Sequence, residues 1–138
     1  MVQLSEDEKR AIQAYSGPTV ALIKEITAGM RRAGALIGQI HERRHDPGWR
    51  DQFVTETRSW RRKLDEIPEE PPTVYAAAHA RILRWAAAVA ESGDDYASAI
   101  EHDDDALLRL ASQKMAVTPE LYVEITKELA QVTTRMRG

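Results

Sequence analysis

His41 and His45 stand four residues apart in the stretch His41-Glu42-Arg43-Arg44-His45. On a helix this spacing projects both imidazoles from one face, where they can chelate a single metal ion, and it is the spacing of helical zinc ligands. Glu42 would lie beside them, placed to take a proton from a metal-bound water. Two histidines fill only half of a tetrahedral zinc shell, so such a site needs further ligands. His79 is one candidate, because it follows the apolar Ala78 much as His41 follows Ile40, and helical bundles hold metals between facing helices.

The pattern extends to His41-Glu42-x-x-His45-x-x-Gly48-x-x-Asp51. In this form it resembles the extended signature of metzincin-type zinc peptidases, in the variant whose third ligand is aspartate. The resemblance covers eleven residues. It implies zinc held by His41, His45 and Asp51, a water activated by Glu42, and a chain turned back towards the metal at Gly48. That family sets its motif helix beneath a β-sheet, with apolar residues between the ligands. Here those positions are Arg43 and Arg44, and no segment of the chain alternates with the period of a strand. The same residues also have a purely architectural reading. They form the charged end of a bundle helix, followed by an aspartate cap at Asp46 and a first-turn proline at Pro47.

Charge is distributed unevenly. Residues 31–63 hold nine basic residues against four acids, a net of +5, while the remainder carries a net of −8. Arg43, Arg44, Arg61 and Arg62 are the candidates for binding an anion or a nucleic-acid phosphate within this segment. The alternative is that basic and acidic helices of the chain, or of two copies of it, pair with one another. An acidic total, with no helix-turn-helix or aromatic platform, favours the second account over nucleic acid. No cysteine is present, which excludes disulfides, thiolate metal sites and cysteine nucleophiles. Glycine-rich phosphate loops, nucleophile elbows and kinase or dinucleotide fingerprints are also missing.

At 138 residues, 43% of them hydrophobic and 30% charged, the chain is long enough and apolar enough to bury a core as one domain spanning 1–138. No apolar run approaches the roughly 20 residues needed to cross a bilayer. The polar, acidic start does not read as a signal peptide. The expectation is a cytoplasmic protein, with an exported mature domain as the alternative.

The elements that must position these groups are all helical. Ser5-Glu6-Asp7-Glu8 forms a capping box for a short helix near 5–15, which Ser16-Gly17-Pro18 should stop. A long helix over about 18–45 follows, with Ile23, Ile26, Met30, Ala33, Ile37 and Ile40 at spacings of three and four. Gly29, Gly34 and Gly38 lie beside that seam and either admit a close neighbour or are neutral. Asp46 and Pro47 start a third helix, about 47–66, with Trp49, Phe53, Thr57, Trp60, Leu64 and Ile67 as its stripe. Residues 68–72 break the chain with prolines. An alanine-rich helix over about 73–101 follows, bent or straight at Ser92-Gly93, then a short helix near 104–116 capped from Asp103-Asp104-Asp105. Thr118 should cap the last helix, about 119–136, with Tyr122, Ile125, Leu129, Val132 and Met136 facing the core.

These signals predict an all-α protein, an up-down bundle of four main helices with two short extra ones. Because helix starts, stops and stripes account for nearly every distinctive residue, the expected function is non-enzymatic. It is binding to a protein partner, or homo-oligomerisation, with no cofactor. A zinc-dependent hydrolase using His41, Glu42, His45 and Asp51 is the competing expectation. Nucleic-acid or anion binding through 31–63 is the third.

Overall fold

A computed structural model describes residues 4–137 of the chain. The capping box closes as expected: the Ser5 hydroxyl accepts from the Glu8 amide at 3.1 Å, and the Ser5 amide donates to the Glu8 carboxylate at 3.3 Å. Helix α1 (Glu6–Ile37) then continues straight through Pro18. The expected stop at Ser16-Gly17-Pro18 therefore does not occur, and the short helix near 5–15 is the first part of the long one. An interior proline loses one hydrogen bond, here the one to the Ala14 carbonyl, at a cost of about 3 kcal/mol. What outweighs it is the buried row Ile12, Tyr15, Thr19, Leu22 and Ile26, which keeps helical spacing across the proline. Burying a large apolar side chain contributes about 1.5–3 kcal/mol.

The same helix ends earlier than expected, at Ile37 rather than near 45. Gly38 and Gln39 form a turn, with the Gln39 amide donating to the Leu36 carbonyl at 3.0 Å. The Trp49 indole N–H donates to that same carbonyl at 3.0 Å. A side chain from the next long helix thus satisfies an end-of-helix acceptor that has no intrahelical donor. A short helix, α2 (Ile40–Arg43), follows and carries His41.

Asp46 caps α3 (Pro47–Leu64) by accepting from the Gly48 amide at 2.9 Å and the Trp49 amide at 3.4 Å, with Pro47 in the first turn. Trp49, Phe53, Thr57, Trp60 and Leu64 are its buried face. After the proline-rich turn, a single 3₁₀ turn (Thr73–Tyr75) leads into α4 (Ala76–Glu101), which is unbroken at Gly93. Asp104 caps α5 (Asp105–Met115). Thr118, expected as the cap of α6 (Thr118–Arg137), instead donates its hydroxyl to the Met115 carbonyl at 2.8 Å and closes the end of α5.

Four long helices, α1, α3, α4 and α6, build an all-α bundle, and no strand occurs among the described residues. Helix α4 is its centre: α3, α5 and α6 all pack on it, and α1 packs on α3. Trp49, Phe53, Trp60, Trp85, Ile82 and Ile125 fill the main core. Helix α4 comes close to the backbone of α3 at Gly93. A Cβ there would collide with the Thr57 carbonyl oxygen and come within 2.7 Å of Trp60 Cε3. A second, smaller core joins Ile12 and Tyr15 of α1 to Tyr75, Ala78 and Val132. Backbone packing of α1 directly on α6 is sparse, and a furrow floored by α4 runs between them.

Candidate functional site

The chain turn that carries the histidines is held by its own charges. His41 lies on α2 and His45 in the turn beyond it, both exposed. Helix α3 carries Asp51, which shares an open concavity of about 420 Å³ with His45 and Glu101. His41 and Glu42 do not line it. His79 belongs to the second core, where its Nδ1 lies 2.8 Å from the Tyr15 hydroxyl. Among the described residues no three His, Asp or Glu side chains converge on a point where a metal ion would sit.

The arginines flanking the histidines are engaged within the chain. Arg43 pairs with Asp46 at 3.0 Å, and with the Gly48 and Trp49 amides it holds the Asp46 carboxyl below the usual carboxylate range. Arg44 reaches across to the α4–α5 turn, pairing with Asp105 at 2.6 Å and Asp103 at 3.3 Å. Arg50 donates to the Ile100 carbonyl at 2.7 Å and lies 3.5 Å from Asp103. It therefore caps the C-terminal end of α4, where carbonyls lack partners and a cation suits the helix dipole. Asp103, the one non-glycine described residue with a positive φ (49°), makes the turn between α4 and α5. Burial alone would raise its carboxyl, but the hydrogen bond from Arg44 and the charges of Arg50 and Arg44 bring it below the usual range.

The pairing continues along α3. Arg58 bonds to Glu101, Arg61 to Asp94 at 2.6 Å, and Lys63 to Glu25 of α1 at 3.3 Å. The excess of positive charge in residues 31–63 is thus largely spent on the acids of α4, the α4–α5 turn and α1. Of the four candidate anion-binding arginines, Arg43, Arg44 and Arg61 hold acidic partners. Arg62 is exposed and has no ion-pair partner among the described residues.

The feature that sequence reasoning missed is the furrow between α1 and α6. Its open part is an apolar concavity of about 520 Å³, with Trp85 in its floor and Met30, Met115, Pro119, Tyr122 and Val123 around it. Tyr122 is 39% exposed and Val123 50%. Tyr122 and Met136 were expected to face the core, but the inward row of α6 is Leu121, Ile125, Leu129 and Val132. The readable signal was the pair Tyr122-Val123, two large apolar residues side by side on a helix whose inward row needs neither.

Charge at the furrow is mainly positive. Arg31 lines it, and Lys24 and Lys127 stand one helical turn from Thr27 and Val123. These three cations have no ion-pair partner among the described residues. Exposed Glu120 also stands one helical turn from Val123, while Glu124 turns to Arg81 on α4 at 3.3 Å. No helix among the described residues is long and apolar enough to cross a membrane. Comparison with family models, curated proteins and solved structures found no match.

Proposed function

We propose that this chain is a non-enzymatic binding module whose furrow between α1 and α6 receives an amphipathic helix of a partner protein. The observation that carries the reading is the open seam itself. Two helices flank a concavity with a tryptophan floor, half-buried Met30 and exposed Tyr122 and Val123 at its edges, a vacancy of the kind one more bundle helix fills. Charge indicates the character of that helix. Lys24, Arg31 and Lys127 favour acidic residues on its polar face, because complementary rims speed encounter and exclude wrong partners. Arg43, Arg44 and Arg61 are committed to Asp46, Asp103, Asp105 and Asp94, which removes most of the charge that a nucleic-acid reading would require.

The test uses methionine-methyl NMR on the full chain, titrated with a peptide helix carrying leucines on one face and glutamates on the other. Met30 and Met115 resonances shift saturably, binding weakens at least about tenfold when the glutamates become lysines, and Val123→Glu abolishes it. Unmoved Met30 and Met115 resonances overturn the reading. So does a dimer of the chain alone that Val123→Glu dissociates, which would assign the furrow to a second copy.

A further inference from the structure

Further along the same seam, towards the start of α1, the furrow closes over a cavity of about 120 Å³. Val20, Ile23, Ile82 and Leu129 supply apolar walls, Tyr15, Ser16, Tyr75 and Thr133 add polar ones, and no charged side chain lines it. One fully buried polar group in its wall is unaccounted for. Thr19 is 2% exposed, and its hydroxyl has no hydrogen-bond partner. Threonines inside helices ordinarily donate to the carbonyl four residues earlier. In this chain Thr27, Thr57, Thr126, Thr133 and Thr134 all do so, at 2.8 to 3.1 Å. Thr19 does not, although it follows Pro18 in an unbroken helix. The nearby Tyr15 hydroxyl is already engaged with His79.

We propose that this cavity binds a small, uncharged, mostly apolar molecule bearing one hydrogen-bonding group, of the phenol or short-chain alcohol class, whose polar atom meets the Thr19 hydroxyl. Size sets the upper limit. A cavity of about 150 Å³ lined by aliphatic residues holds benzene, so this one admits a ligand of roughly that size or less. Chemistry sets the rest. With no charged side chain in the lining, nothing would compensate the lost hydration of an ion. The buried, unpaired Thr19 hydroxyl selects a ligand with a polar end that can reach it. This inference stands apart from the docking of a helix in the open part of the furrow, since neither the cavity nor Thr19 borders Tyr122 or Val123.

The probes are phenol and its isostere toluene, titrated into the full chain and followed by the methyl resonances of Ile23, Ile82 and Leu129. Phenol shifts these methyls saturably and raises the melting temperature. Thr19→Val weakens phenol by about tenfold while leaving toluene binding unchanged, the signature of a lost hydrogen bond rather than a lost fold. Val20→Phe, which fills the cavity from its rim, abolishes both while the helical circular-dichroism signal is retained. The proposal is overturned if phenol produces no saturable shift, or if Thr19→Val leaves phenol affinity unchanged. The first result would mean that the cavity holds water only, and the second that the Thr19 hydroxyl does not recognise the ligand.

Discussion

The Tyr15 hydroxyl and His79 Nδ1 lie 2.8 Å apart, with both residues at most 5% exposed, and this bond links α1 to α4 inside the second core. Burial pushes the Tyr15 phenol up from 10.0 to about 12, aided by Tyr75. It pushes the His79 imidazole below its ordinary 6.5, against a smaller opposing pull from the Glu69 backbone carbonyl. The pair is therefore held neutral. For Tyr15 the folded pKa is the higher, so its contribution is complete below pH 10 and is lost as pH rises towards about 12. For His79 the folded pKa is the lower, so its contribution is complete above 6.5 and is lost as pH falls below that value. Urea midpoints measured against pH should decline on both sides of this plateau. Tyr15→Phe should flatten the alkaline limb, worth on the order of 2–3 kcal/mol, and His79→Leu the acid limb. Variants whose limbs parallel the parent's would refute this assignment.

Two glycines should respond oppositely to alanine. A Cβ on Gly93 collides with backbone at Thr57 and presses on Trp60, neither of which can swing aside, and overpacking of this kind costs about 1–3 kcal/mol. Nothing lies within 4 Å of the corresponding position on Gly34, which is exposed and helical, so alanine there stabilises by about 1 kcal/mol. Thermal melts of Gly93→Ala and Gly34→Ala should shift in opposite directions, and a shift of the same sign in both would contradict the close helix approach.

Arginines that look alike in the sequence should differ in stability. Arg50 is half-buried and caps α4 through the Ile100 carbonyl, so Arg50→Ala leaves a helix end unmet and costs about 1–3 kcal/mol. Arg61 makes a shorter ion pair, at 2.6 Å with Asp94, but on the surface, where such pairs contribute about 0–1 kcal/mol. Guanidinium denaturation of the two alanine variants ranks them, with Arg50→Ala expected to be the weaker protein.

The caps at Ser5, Asp46 and Asp104 and the stripe from Trp49 to Leu64 were legible because each is decided by residues a few positions apart. Pro18 was misread for the opposite reason. Its local cost is visible in the sequence, whereas the burial that overrides it comes from Tyr75, His79 and Val132, far along the chain. The end of α1 is likewise met from outside, at the Leu36 carbonyl, by an indole thirteen positions later. On α6, Tyr122 fits the helical period with Ile125 and Leu129, and only the direction of α4 shows that the inward row passes through Leu121 instead. The histidine spacing was plain from the start. Its surroundings were not: arginines that clasp a neighbouring turn, and a tryptophan that meets the end of the helix before it.

Helix α1 serves two cores at once. Its first turns belong with Tyr75 and Val132, and its later ones with Trp49, Phe53 and Trp60. During synthesis the later part of α1 can settle as soon as α3 has emerged, whereas Ile12 and Tyr15 wait for Tyr75 and Ala78 and are fully covered only when Val132 has followed. The earlier turns of α1 are therefore secured later than the turns that follow them.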